Sequence, residues 1–315
     1  LLESIRVRIL AQVGYELLMI SRGRATSMNL RQKLRTPALQ LNDLITYPIW
    51  KTFWRDHVEY LWFASRNWGD ALNPVLIRHL SGRAAHGIDF HMRDRGLAWP
   101  HQPDRYAVIG SILQLVDRQT TVWGVGFMSS TARVGVSPRR VCAVRGPLSA
   151  SKLRDQGIAC PDVYGDPALL YPKFYHPRVR KAYRLGLIPH YLDSDSPLLE
   201  PFRNDESVLI IDIRGGIRRV MDELVACEAI ASTSLHGLIM ADAYQIPSVW
   251  IKMSNKIHGD DFKFHDYFAS QGKTGVAPKW VEGETRTDDL LRECHLRECR
   301  VDLDRLLDSC PFRGR

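Results

Sequence analysis

What the chain does without narrows its class first. Its 315 residues include only six cysteines, Cys142, Cys160, Cys227, Cys294, Cys299 and Cys310, and none of them forms a Cys-x-x-Cys pair. A chain this long can bury its own apolar core, so a disulfide-stapled module is not expected; the thiols read as reduced and the compartment as cytoplasmic. The one local cluster of ligand-type residues is Cys294-His295 with Cys299, in "RECHLREC". Residues five apart on a helix point about 140° away from each other, so this stretch is read as a surface helix and not as a zinc site. No carboxylate cluster has metal-ligand spacing either, and neither a metal nor a resident cofactor is expected. No long uninterrupted apolar run is present in the opening stretch: "LLESIRVRILAQVGYELLMI" is broken by Glu3, Arg6, Arg8 and Glu16, which excludes a plain membrane-spanning helix. It suits an amphipathic helix lying on an anionic membrane face, or one packed against the rest of the protein. No compact block of Lys and Arg interleaved with aromatics occurs, which argues against nucleic acid as a partner. Internal repeats and low-complexity segments are also missing.

What is present is an ordinary globular composition, 45% hydrophobic and 25% charged. The 43 Lys and Arg outnumber the 35 Asp and Glu, for a formal charge of +8. That excess favours an anionic partner, either a phosphorylated small molecule or the inner face of the cytoplasmic membrane in peripheral contact. The chain opens on Leu1 and not on methionine, and the expectation is that its start is missing or processed. The length predicts two domains. Residues 1–56 read as a basic helical extension, 57–178 as one Rossmann-like domain, 179–280 as a second, and 281–315 as a helical tail. Within each half the text alternates between apolar strand-like runs, glycine-bearing turns and helix-periodic stretches. "VEYLWFAS", "YAVIGS", "TTVWGVGF" and "RRVCAVRG" supply the first set; "RLGLIPHY", "SVLIIDIR", "EAIAST" and "PSVWIK" supply the second. This is the pattern of parallel α/β sheets.

In such sheets ligands bind beyond the carboxyl ends of the strands. Polar residues fall there repeatedly: Asn67 and Asp70 after the first strand, Arg145 after "VCAV", His190 after "GLIP", Arg214 after "LIIDI", and Ser232 to His236 after "AIA". Ser232, Thr233 and Ser234 can cap a helix that opens at Leu235, whose free N–H groups would attract an anion. Gly237 lets the backbone come close, and His236 stands beside that anion with a side chain suited to proton exchange near neutrality. The same histidine could equally be a hydrogen-bonding residue of a domain interface. Asp166, in "GDPALL", reads both as a catalytic carboxylate and as a helix N-cap before Pro167.

In order along residues 57–270, "NWGDALNP", "AVRGPLSASKLRDQGI" with "DVYGDPALL", "STSLHGLIMADAYQIPSVWI" and "DDFKFHDYF" resemble the successive motifs of the polysaccharide pyruvyl transferase family, the last one those of its exopolysaccharide branch. The resemblance implies a fold of two Rossmann-like domains facing across a cleft, as in GT-B glycosyltransferases. It also implies transfer of the pyruvyl group of phosphoenolpyruvate onto a sugar as a ketal, with release of phosphate. One departure stands out: many members carry a donor-gripping Arg at the position of Ser234, so here either another cation holds the donor or the donor is held differently.

On this reading His236 is the general acid/base, and Asp166 is a catalytic carboxylate that orients the sugar or accepts a hydroxyl proton. Arg145 is the first choice for gripping the donor, followed by Arg214 and Lys263, while Ser234, Leu235 and Gly237 offer the helix end to its phosphate. Asn67, Asp70 and His190 face the saccharide acceptor, which is free or lipid-linked. The competing readings are a nucleotide-sugar glycosyltransferase of the same architecture and a non-catalytic glycan-binding protein. The first would want a carboxylate after the third strand of the second half, where this chain has Ser-Thr-Ser-Leu-His.

Overall fold

The computed structural model describes residues 56–62, 68–89 and 104–313. The expected extension over residues 1–56 lies outside the described residues except for Asp56, and Asn67 lies outside them as well.

Two five-stranded sheets, parallel throughout, organise the described chain. The first comprises β1 (His57–Trp62), β2 (Ala84–Asp89), β3 (Arg105–Ala107), β4 (Thr120–Trp123) and β5 (Arg140–Ala143), in the order β2-β1-β3-β4-β5. The second comprises β6 (Tyr183–Ile188), β7 (Val208–Ile210), β8 (Cys227–Ser232), β9 (Ser248–Lys252) and β10 (Lys279–Trp280), in the order β10-β9-β8-β6-β7. Counted within its own half, each sheet therefore runs 2-1-3-4-5, one of the two common doubly wound orders. Sequence patterning finds neither edge strand β2 nor β10. β2 is spelled "AAHGID", with too few large apolar residues to register as a buried run, and β10 is only two residues long.

The helices follow from local chemistry. α1 (Trp68–Ser81) buries Trp68, Leu72, Leu76, Ile77 and Leu80 on one face and stops at Gly82, whose φ of +68° suits a residue without Cβ. It begins at Trp68, so "WGD" forms its first turn and not the loop before it. Pro74 inside α1 cannot donate to the carbonyl of Asp70, four residues back; the Asn73 side chain donates to that oxygen instead, at 3.0 Å. Next come α2 (Pro147–Arg154), a 3-10 segment at Pro167–Lys173, and α3 (Ile217–Val225), which turns Val220, Met221 and Leu224 inward. α4 (Leu235–Ala243) is buried along nearly its whole length, being covered by the second sheet on one side and by the 3-10 segment on the other. α5 (Phe262–Ser270), α6 (Thr287–Glu293) and α7 (Leu303–Asp308) follow, and short helical turns also occupy Leu113–Leu115, Pro197–Leu199 and Glu200–Arg203.

The tail departs from the expected continuous helix. α6 ends at Glu293, and residues 294–301 run without helix until α7. "RECHLREC" is therefore not a surface helix. His295 makes an antiparallel bridge to Ser248, and Arg297 turns inward to Asp242 at 2.9 Å and to the Ser248 carbonyl at 3.0 Å. A buried guanidinium with a carboxylate waiting for it outweighs helical propensity in this stretch. Beyond it α7 reaches the first sheet, where Trp123 Nε1 donates to the carbonyl of Leu306 at 3.0 Å.

One apolar cluster contains Tyr60 and Trp123 of the first sheet together with Ile230 and Trp250 of the second, so the two halves share a core. The opposite face of each sheet has a smaller cluster of its own. Among the described residues no helix is long and apolar enough to cross a membrane.

Candidate functional site

In a 2-1-3-4-5 sheet the strand order reverses between the first and third strands, and a crevice opens at their carboxyl ends. For the first sheet that point lies between the start of α1 and the turn after β3. Asn73 spans it, accepting from Ile109 N at 2.9 Å and donating to Ile109 O at 3.3 Å. For the second sheet it lies between the turn after β6 and the turn after β8, where His190 N donates to Thr233 Oγ1 at 2.6 Å. The two reversal points touch each other. Trp68 N donates to Ile213 O at 3.0 Å, and a Cβ added to Gly69 would collide with the His236 imidazole. "WGD" and "SLHG", 167 positions apart counting from Gly69 to His236, thus meet. Gly69 is glycine because the ring lies on its backbone.

His236 is 9% exposed and occupies the first turn of α4. Its Nε2 faces Asp166 Oδ2 at 3.7 Å, and both atoms are buried without a hydrogen-bond partner. The other oxygen of Asp166 caps the 3-10 segment by accepting from Ala168 N at 3.0 Å. The two sequence readings of Asp166 are therefore compatible: one oxygen caps, and the other is aimed at the imidazole. Two orphaned polar atoms of opposite proton demand, held just outside bonding distance, form a pair that a proton on the ring would close. Beside the ring is a void of about 10 Å³, lined in part by Trp68, Ser234 and Gly237 and large enough for roughly one water.

The expected serine cap takes a different form. Ser234 is the N-cap residue of α4 but its side chain makes no capping bond; Ser232 Oγ instead accepts from Ser234 N at 3.0 Å and lies 2.9 Å from Ser234 O. Gly237 is required because a Cβ there would strike Ser232 Oγ. Leu235 and Gly237 stand on the same first turn, with Ser234 3% exposed.

Arg145 is 1% exposed and heavily engaged. Nε donates to Asp266 Oδ2 at 3.1 Å, one terminal nitrogen to Ser111 Oγ at 2.7 Å, and the other to Phe127 O at 2.8 Å. Asp266, on α5, also accepts from Ser149 N at 2.8 Å and from Ser149 Oγ at 2.7 Å. Arg145 is thus a buried tie between the first sheet's loops and α5. Gly146 permits that approach, since any Cβ there would meet the Asp266 backbone. Asp266 and Ser149 escape sequence reasoning as a pair. The available signal was that "DDFKFHDYF" and "VRGPLS" both belong to the recurring motifs.

Lys263 stands on the first turn of α5 and forms no ion pair among the described residues. The carboxylates near it in sequence are taken: Asp261 by Lys252, Asp260 by Ser130, and Asp266 by Arg145. Burial, and next the charge of Arg145, push the Lys263 ammonium down to about 8. Burial, with the charges of Lys263 and His258, pushes His190 down to about 4. Its Nδ1 accepts from Leu192 N at 3.3 Å, which agrees with a neutral ring. Asp70, 7% exposed, acts electrostatically on both Lys263 and Tyr191, so it belongs to the same neighbourhood. Arg214 is exposed and clamped by Asp212 at 2.8 and 3.0 Å. Among the described residues no group of three His, Cys, Asp or Glu could hold a metal.

The chain matches the family model described as polysaccharide pyruvyl transferase over residues 67–255. It is 30% identical over 176 residues to the succinoglycan biosynthesis protein ExoV of Rhizobium meliloti (strain 1021), covering 54% of this chain and 53% of that protein. It is 28% identical over 173 residues to the uncharacterized protein L143 of Acanthamoeba polyphaga mimivirus, covering 53% of this chain and 60% of that one. The matched region thus spans between half and three fifths of these relatives' length. No solved structure matches.

Proposed function

This chain belongs to the polysaccharide pyruvyl transferase family, and on that footing we propose that it transfers the pyruvyl group of phosphoenolpyruvate to a sugar of a polysaccharide or of its lipid-linked precursor. The product is a pyruvate ketal and the leaving group is phosphate. The observation that carries the reading is the orphaned His236–Asp166 pair, 3.7 Å apart where the reversal points of both sheets meet. The two halves, residues 57–178 and 179–280, then act as GT-B-like lobes with the reactants between them.

Ketal formation asks for three things. The enol carbon must gain a proton, the resulting cationic carbon must meet one sugar hydroxyl and then a second, and phosphate must depart. Of the two hydroxyl protons released, one balances the new methyl group and the other leaves with phosphate. His236 passes these protons, a role typically worth ~10²–10⁴ in rate. Asp166, 1% exposed, touches no substrate; its free oxygen orients the ring and stabilises the imidazolium. Lys263 supplies the cation that the family's missing arginine leaves wanting, because no carboxylate of the described residues claims it, while Arg145 holds α5 in place. The first turn of α4 at Leu235 and Gly237 offers N–H groups to the phosphate. Asp70 and His190 line the acceptor side. The excess of basic residues supports peripheral contact with an anionic membrane carrying the acceptor.

The test is phosphate release from phosphoenolpyruvate in the presence of oligosaccharides, beginning with succinoglycan repeats. Acceptor-dependent release that disappears in His236→Ala is expected. Undiminished activity in that variant, or release from sugar nucleotides alone, overturns the reading.

A further inference from the structure

Four aromatic side chains fall near strand ends in the sequence, Trp68, Trp123, Trp250 and Tyr191, and burial separates them. The three tryptophans are 3%, 0% and 2% exposed and belong to the shared core. Tyr191 is 37% exposed. Of the large apolar side chains that reach solvent among the described residues, Val136, Leu148, Val179, Trp280 and Leu296 lie elsewhere on the chain; Tyr191 alone follows β6 at its sheet's reversal point.

Its support is rigid. The ring packs on the His190 imidazole with centroids 4.2 Å apart and planes 34° from parallel. His190 is in turn fixed by its N–H to Thr233 at 2.6 Å and its Nδ1 to Leu192 N at 3.3 Å, while Asp193 N closes the turn on His190 O at 2.7 Å. Asp70 follows Gly69, on whose backbone the His236 ring lies, and His190 is held by Thr233, three residues before His236, so the carboxylate and the Tyr191 ring border the same junction of the two sheets. Burial and, after it, the negative charge of Asp70 raise the Tyr191 phenol above its ordinary value. A partly exposed aromatic ring on a fixed base, with a carboxylate at the same junction, is suited to one class of ligand. The C–H face of a pyranose lies on the ring, and its hydroxyls donate to the carboxylate.

We infer that Tyr191 is the stacking platform of the acceptor subsite and that Asp70 receives hydroxyls of the same pyranose. The assignment rests on the sugar-acceptor reading above but not on the identity of the donor. The neutral His190 then has a definite role, which is to back the platform without competing for protons.

The test is saturation-transfer NMR on the full chain, without donor, using methyl β-D-glucopyranoside and methyl β-D-galactopyranoside as probes. The wild type is expected to saturate the ring C–H protons of one sugar face. Tyr191→Ala and Tyr191→Leu are each expected to weaken binding roughly 3–10-fold, the equivalent of one aromatic stack, whereas Tyr191→Trp and Tyr191→Phe retain it. Thermal midpoints of all four variants check folding, and the aromatic variants keep the test decisive if the truncated ones unfold. No saturation of either probe by the wild type, or equal binding in Tyr191→Leu, overturns the assignment. Sugar binding that depends on Tyr191 in a chain that leaves phosphoenolpyruvate untouched supports the platform and removes the pyruvyl reading. Acceptor-dependent phosphate release indifferent to Tyr191 does the reverse.

Discussion

Replacing Asp266 by Asn tests the claim that Arg145 is a tie between the halves and not a free cation. The carboxylate is 0% exposed and accepts from Arg145 and from both Ser149 donors. Asn keeps the shape and can still accept from Ser149, but it leaves the Arg145 charge buried, with Ser111 Oγ and Phe127 O as its remaining partners. Removing one member of a buried ion pair typically costs 3–5 kcal/mol, most of it the penalty of the stranded charge. Asp266→Asn is therefore expected to lose ~3–5 kcal/mol in urea unfolding. Arg145→Met should lose a similar amount, since it strands the carboxylate on Ser149 alone. The double variant strands nothing and should cost no more than either single change, giving a coupling of at least ~2 kcal/mol. Single losses that add in the double variant to within ~0.5 kcal/mol would refute the tie.

Gly69→Ala puts a methyl group into the His236 ring at Nδ1, so the buried ring must move and both activity and stability should respond. Phosphate release should fall by ~10² or more and stability by ~1–3 kcal/mol; equal activity would mean that the ring position is immaterial. Lys263 titrates at about 8 in the free protein and must be charged to hold an anion, so donor affinity should be full below pH 8 and fall as pH rises through it, a decline absent from Lys263→Met. His190 binds its proton near 4 when folded but near its ordinary 6.5 when unfolded, so the unfolded state takes up protons first as pH falls between those values. Stability should drop by about 3 kcal/mol across that window and be flatter in His190→Asn, measured by urea midpoints from pH 7 to 4.

The alternation of apolar runs and glycine turns in each half was legible because a parallel strand buried on both faces reads as a continuous apolar word. So was the helix opening at "SLHG", since a serine followed by an apolar helix-periodic run is a local pattern. β2 was not legible: "AAHGID" acquires its strand from pairing with β1 and not from its own composition. The loss of helix at residues 294–301 was hidden for the same kind of reason, because the carboxylate that captures Arg297 is Asp242, over fifty positions earlier.

Local patterning was enough to establish that this chain makes two parallel sheets with helices between their strands and which polar residues follow those strands, because periodicity, caps and turns are written within a few neighbouring residues. Which residues share a surface emerged with the folded chain alone. Gly69 under His236, Asp266 on Arg145 and Tyr191 within the field of Asp70 are all juxtapositions across the two sheets. The same holds for Arg145 being ion-paired and Lys263 forming no ion pair among the described residues, since a charge is free or spent according to what the fold brings beside it, and distance along the chain carries no record of that.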